Sequence, residues 1–148
     1  MMVSFDVQSL FTSVPTDIAC DVAKERLEAK DQKGDSVVLA NTGMDVQDIL
    51  HLLRLCLDTT YFQMNGEIYK QKKGTAMGSP VNVVVANLFM EKFEQTALHS
   101  FTHPVKVWKR YVNDTFVIID KDHVYALHDH LNCQVPGIYF TVERESSG

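Results

Sequence analysis

The apolar positions of this chain change period several times, and each change marks an element. The opening "MVSFDV" is short, apolar and rich in β-formers, which predicts a buried strand. "FTSVP" breaks that run. A helix is expected from about Pro15 to Lys30, with Ser13 or Thr12 as its cap, Pro15 in its first turn, and Ile18, Ala19, Val22 and Ala23 facing inward. "DQKGDS" reads as a polar, exposed connection. Asp45 is expected to cap a second helix, "VQDILHLLRLCLDTT", whose apolar side carries Val46, Ile49, Leu50, Leu53 and Leu57. In "YFQMNGEIYKQ", Asn65-Gly66 separates two alternating segments, the signature of a type I′ hairpin. The Gly-rich loop "KKGTAMGSP" leads to a long helix from about Val81 to Leu98, with Val84, Val85, Leu88, Phe89 and Phe93 on its apolar side. "VKVWKRYV" and "TFVII" predict a second hairpin, "HVYALHDHLN" a last helix and "IYFTVE" a last strand. Strands and helices mixed in this order predict an α+β fold, an antiparallel sheet backed by helices, rather than a parallel βαβ stack.

Composition narrows the class only modestly. The chain has 148 residues, 45% of them apolar and 22% charged, as expected of one folded domain spanning 1–148. The formal net charge of −5 does not by itself suggest a nucleic-acid binder, although a basic groove can sit on an acidic domain. Cys20, Cys56 and Cys133 are odd in number and far apart, which argues against a disulfide framework and for buried thiols in a reducing compartment. No apolar run approaches the roughly 18 residues of a membrane span, and no signal-peptide pattern opens the chain.

Two carboxylates suggest chemistry. Asp6 lies between Phe5 and Val7 at the end of the first strand, where a charge is costly unless paired or bound to a metal. Asp114 lies in "KRYVNDTFVII", with Asn113-Asp114 read as the tip of the second hairpin. Each has a plain alternative, since Asp is a common turn residue and Asp6 could pair locally. Together, on neighbouring antiparallel strands, they would converge at one sheet edge. Hard oxygen ligands so placed suit Mg²⁺, and two such ions can clamp the attacking and leaving oxygens on phosphorus. Phe11, just past the strand, could sit beneath a bound sugar. The "KKGTAMGSP" loop offers backbone N–H groups, a serine, Lys72 and Lys73 ahead of a helix, a weak phosphate motif that could equally be a linker.

"SFDVQSLFTSVP", "QKKGTAMGSPVNVVVANLFMEKFE" and "KRYVNDTFVII" resemble motifs A, B and C of reverse transcriptases, in the right order and at sensible spacing. In detail they are similar to those of Penelope-like retroelements, and with the connecting helices the resemblance covers nearly the whole chain. It implies a polymerase palm carrying motifs A to D, part of a right-hand polymerase without most of its fingers and thumb, which a longer chain would supply. The implied reaction is attack of a DNA primer 3′-OH on the α-phosphate of a dNTP, copying an RNA template with two Mg²⁺ ions, or Mn²⁺ in their place. The implied location is intracellular and nuclear. By the same resemblance Asp6 and the carbonyl of Val7 are metal ligands, Phe11 is the gate that rejects a ribose 2′-OH, and Gly78 and Ser79 contact the nucleotide and template. Asn113 and Asp114 match the two motif C aspartates, with Asp114 the remaining carboxylate for metal, and Lys72, Lys73, Lys109 and Arg110 are the local cations for nucleic acid.

The chain departs from that pattern. Where the family has Tyr-x-Asp-Asp, this chain has Tyr111-Val112-Asn113-Asp114. An amide oxygen can ligate Mg²⁺ but brings no charge, so activity is expected to fall by orders of magnitude unless Asp114 shifts by one residue. Motif B has Asn82-Val83 where the family has Ser-Pro, which predicts a less rigid loop. The rivals are an inert palm remnant that binds nucleic acid or a protein partner, and a decayed reading frame. Other candidates read as structure: His123, His128 and His130 with Asp120, Asp122 and Asp129 as a solvated helix face, Glu91, Lys92 and Glu94 as surface charges, and Trp108 as core.

Overall fold

The computed structural model describes residues 1–34, 37–76 and 78–144. In chain order the elements are β1 (Met2–Val7), α1 (Leu10–Ser13), α2 (Thr16–Gln32), α3 (Val37–Thr42), α4 (Val46–Asp58), β2 (Tyr61–Met64), β3 (Glu67–Lys70), α5 (Pro80–Ser100), β4 (Val107–Tyr111), β5 (Asp114–Ile118), a 3₁₀ turn (Lys121–His123), α6 (Val124–Asn132) and β6 (Phe140–Arg144). They form two compact units, Met1–Ser13 with Met90–Gly148, and Val14–Phe89, with α5 contributing to both. No helix among the described residues is long and apolar enough to cross a membrane.

The first unit is built on a four-stranded antiparallel sheet in the order β4-β5-β1-β6. The alternation of β1 explains its central place. Val3, Phe5 and Val7 are buried on one face, while Ser4 and Asp6 are only partly covered on the other. The expected fully buried strand is therefore half-buried, and Asp6 does not pay for lying among apolar neighbours. On the covered face Phe5 stacks between Trp108 and His128, with ring centroids 6.4 and 6.2 Å away, and Phe93 of α5 stacks on Phe140 at 5.4 Å. α6 closes this layer with Val124, Leu127 and Leu131, all fully buried. The Asn132 side chain pairs with both backbone groups of Phe140, accepting from its N–H at 2.7 Å and donating to its carbonyl at 3.2 Å.

The histidines expected on a solvated face are engaged in this packing instead. His128 Nε2 meets the Phe140 carbonyl at 2.7 Å, His130 Nε2 meets the Ala97 carbonyl at 2.9 Å, and His123 stacks on His103 at 3.7 Å. Among the described residues no group of three or more His, Cys, Asp or Glu side chains is arranged to hold a metal ion.

In the second unit α2 packs on α4. α2 starts one residue after Pro15 and has no side-chain cap, because Thr12 turns back to the Ser9 carbonyl at 3.0 Å and Ser13 ends α1. Ile18, expected inward, is exposed, whereas Ala19, Val22 and Ala23 are buried. Asp45 caps α4 as expected, within a reciprocal box in which its carboxylate accepts from Asp48 N–H at 2.8 Å and the Asp48 carboxylate accepts from Asp45 N–H at 3.1 Å. The Asn65-Gly66 hairpin has positive φ at both central residues, 53° and 82°, as a type I′ turn needs. The connection expected at "DQKGDS" is a turn through Gly34, and residues 35–36 lie outside the described residues. Of the cysteines only Cys20 is buried, with its thiol pushed up chiefly by burial, while Cys56 and Cys133 are exposed.

Candidate functional site

The second hairpin is set one residue away from the turn its composition suggests. Tyr111 pairs with Asp114, so the two loop residues are Val112 and Asn113, and Asp114 is the first residue of β5. Asn and Asp are favoured turn residues and valine is not, yet Val112 takes the first loop position at φ 58°. A two-residue loop with positive φ at its first residue only has the sign pattern of a II′ turn, where glycine is preferred. A β-branched residue there is a strained outlier, and such strain persists only where surrounding contacts over-determine it. Val112→Gly is therefore expected to stabilise the protein by roughly 1 kcal/mol, strain relief being offset in part by the added freedom of the unfolded chain. Urea unfolding followed by fluorescence of Trp108, the sole tryptophan, measures it.

The shifted register aligns the two carboxylates. β1 pairs with β5 so that Asp6 stands directly opposite Asp114. Directly opposed residues share a face of the sheet, with side chains in reach of one another. Asn113, in the loop, turns its amide toward the same point, and its Nδ2 donates to Asp6 Oδ1 at 2.5 Å. The Asn113 carbonyl accepts from the Val7 N–H at 3.0 Å, which fixes the loop to the end of β1. On the other side of β1, Thr141 pairs with Asp6, and its hydroxyl donates to the Asp6 carbonyl at 3.5 Å. Asp6, Asn113, Asp114 and the Val7 backbone are thus in one place. Asp114 is Asp6's register partner across β1 and β5, and Asn113 precedes it in the loop.

The open face around this row is exposed. Tyr111 is 82% and Phe116 44% accessible, and Lys109 is exposed opposite Phe116. Arg110, one residue on, points the other way. Its Nε donates to Glu94 Oε1 at 2.6 Å and its Nη1 to the Val112 carbonyl at 3.0 Å. Arg110, expected among the cations for nucleic acid, and Glu94, expected as a surface charge, form a pair whose side chains are only 9% and 14% accessible. Glu94 follows the buried Phe93 and sits four residues past Met90 and three before Ala97, both fully buried, so helical spacing places it beside the packed stripe of α5.

Phe11 lies in α1 and is half-buried. The remaining predicted residues belong to the second unit. Lys72 and Lys73 are exposed, Gly78 has φ 95°, Ser79 is half-buried, and Met77 between them lies outside the described residues. Asn82, in the serine position of that Ser-Pro pair, is 2% accessible and donates to the Ala76 carbonyl at 2.7 Å. Gln71 Nε2 holds the Lys73 carbonyl at 2.7 Å. These two amides tie described parts of the loop to its flanks. The chain matches no family model and no curated protein.

Proposed function

We propose that this chain is the palm domain of a reverse transcriptase, an RNA-directed DNA polymerase of a Penelope-like retroelement, impaired at its metal centre. The motif strings support the family, and the observation that carries the chemistry is Asp6 opposite Asp114 with the Asn113 amide on Asp6. Two hard carboxylates on one open face fit Mg²⁺, which takes one or two carboxylates and completes its shell with water and substrate phosphates. Asp6 and Asp114 would hold such ions, with the Val7 carbonyl beside them. When bound, the ions stabilise charge on the phosphoryl oxygens and lower the barrier to attack by a primer 3′-OH.

The other residues act directly. Asp6 and Asp114 present negative charge where a triphosphate with its cations would sit. Phe11, just beyond β1, limits room at the sugar. Lys109 offers positive charge from the open sheet face, and within the second unit Gly78 and Ser79, with Lys72 and Lys73, carry the roles that the motif B resemblance implies. Asn113 weakens the centre in two ways. It brings no charge, and its N–H occupies an Asp6 oxygen that a metal would otherwise take. In this reading fingers and thumb come from further polypeptide, and the setting is nuclear.

Primer extension on an RNA template with Mg²⁺ or Mn²⁺ tests the proposal, using this chain and Asn113→Asp, each joined to fingers and thumb. The restored aspartate is expected to raise the rate by at least a hundredfold, about 2.7 kcal/mol of barrier, and Asp6→Asn to abolish it. No extension with Asn113→Asp would remove the catalytic reading. Binding that weakens steeply with salt, without extension, would favour the second reading, an inert nucleic-acid platform, which the Asn113–Asp6 hydrogen bond also suits.

A further inference from the structure

The Glu94–Arg110 pair joins the helix layer to the loop that carries Asn113. Alternation along β4 sends Lys109 and Tyr111 to the open face and Arg110 to the covered one, where Glu94 of α5 receives its Nε at 2.6 Å. The same guanidinium donates Nη1 to the Val112 carbonyl at 3.0 Å. That carbonyl belongs to the peptide linking Val112 to Asn113, so holding it sets how the chain enters Asn113. Asn113 in turn makes two contacts to β1, side chain to Asp6 and carbonyl to the Val7 N–H. A planar guanidinium has donors in a fixed fork and can serve a carboxylate and a carbonyl together, which a lysine ammonium on a flexible stem cannot do with the same geometry. The strained φ of Val112 is the kind of conformation that needs such a constraint.

We infer that Arg110 is a positioning residue. Glu94 orients its guanidinium, the guanidinium fixes the Val112 carbonyl, and the loop is thereby held with residue 113 against Asp6. The placement stands on these contacts alone, and its meaning for nucleotidyl transfer rests on the function proposed above. Arg110 then acts on the site from the covered face and not as a cation for phosphate.

The test uses the ¹⁵N-labelled chain with no metal, nucleotide or template, so a failed polymerase assay leaves it untouched. Two signals report the loop: the side-chain NH₂ resonances of Asn113, assigned by their loss in Asn113→Asp, and hydrogen exchange at the Val7 amide. In Arg110→Lys the Asn113 pair is expected to move toward the shifts of a solvated amide, and Val7 exchange to quicken at least tenfold relative to Val3 and Val117 in mid-sheet. Glu94→Gln keeps an acceptor for the guanidinium and should move both signals in the same direction by a smaller amount. It also carries the test if Arg110→Lys does not fold. A folded variant with unchanged Asn113 resonances and unchanged Val7 exchange would overturn the inference. Exchange that quickens equally at Val3, Val7 and Val117 would also overturn it, since that marks a pair that only stabilises the unit.

Discussion

Asn113→Asp is expected to melt several degrees lower than the parent in chelator and to recover on adding Mn²⁺. The variant places a third carboxylate beside Asp6 and Asp114 and removes the N–H that Asn113 donates to Asp6. Two unit charges about 4 Å apart repel by about 1 kcal/mol in water and about 4 kcal/mol at the effective dielectric of a protein surface. Asp6 is half-buried and Asp114 exposed, so a loss of about 2 kcal/mol is the reasonable centre of that range. For a chain of 148 residues this is roughly 4–8 °C in Tm. A divalent ion reverses the sign of the cluster's effect. At a hundred times its Kd, an ion that binds only the folded state adds about 2.7 kcal/mol. The parent, with two carboxylates and an amide, should gain less from the same ion. Sodium chloride separates screening from binding, because it relieves repulsion in the variant without reproducing the full rise. Equal stability in chelator, together with equal shifts in Mn²⁺, would show that residue 113 does not belong to an ion site.

Phe5→Ala is expected to cost about 3–5 kcal/mol. Phe5 is fully buried in a central strand, between the Trp108 and His128 rings, and its neighbour in sequence is Asp6. Truncation removes the transfer energy of the ring and leaves a cavity that three elements, β1, β4 and α6, would have to close. Trp108 touches the lost ring, so its fluorescence reports this unit directly. A midpoint shift corresponding to less than about 1 kcal/mol would mean that the covered face of the sheet is not packed as described.

Local chemistry made some of this architecture legible, and tertiary contacts hid the rest. Asn65-Gly66 announces its hairpin because few residues tolerate positive φ at both loop positions. The Asp45 cap is legible for a similar reason, a short acceptor just before an apolar helical stripe. α1 and α3, of four and six residues, are too short to show a period. The second hairpin was visible but displaced by one residue, since intrinsic preference puts Asn113-Asp114 in the turn. Contacts to Arg110 and Val7, distant in sequence or invisible to propensity, put Val112 there instead. The motif strings point to Asp6 and Asp114 as partners but contain no register. That the two lie directly opposite, with Asn113 free to reach Asp6 from the loop, depends on the whole sheet. Glu94 looked like a surface charge and Arg110 like a cation for nucleic acid because a strand or helix face cannot be told from sequence until its partner layer is known.

Paramagnetic broadening by Mn²⁺ in ¹⁵N-labelled Asn113→Asp tests the central claim most directly. If Asp6, residue 113 and Asp114 form one ion-binding centre, substoichiometric Mn²⁺ should first erase the amide signals of residues 6, 7, 113 and 114, and the added mutation Asp6→Asn should restore them. Broadening centred elsewhere, for example on Asp120 and Asp122, or persisting at 113 and 114 without the Asp6 carboxylate, would contradict it.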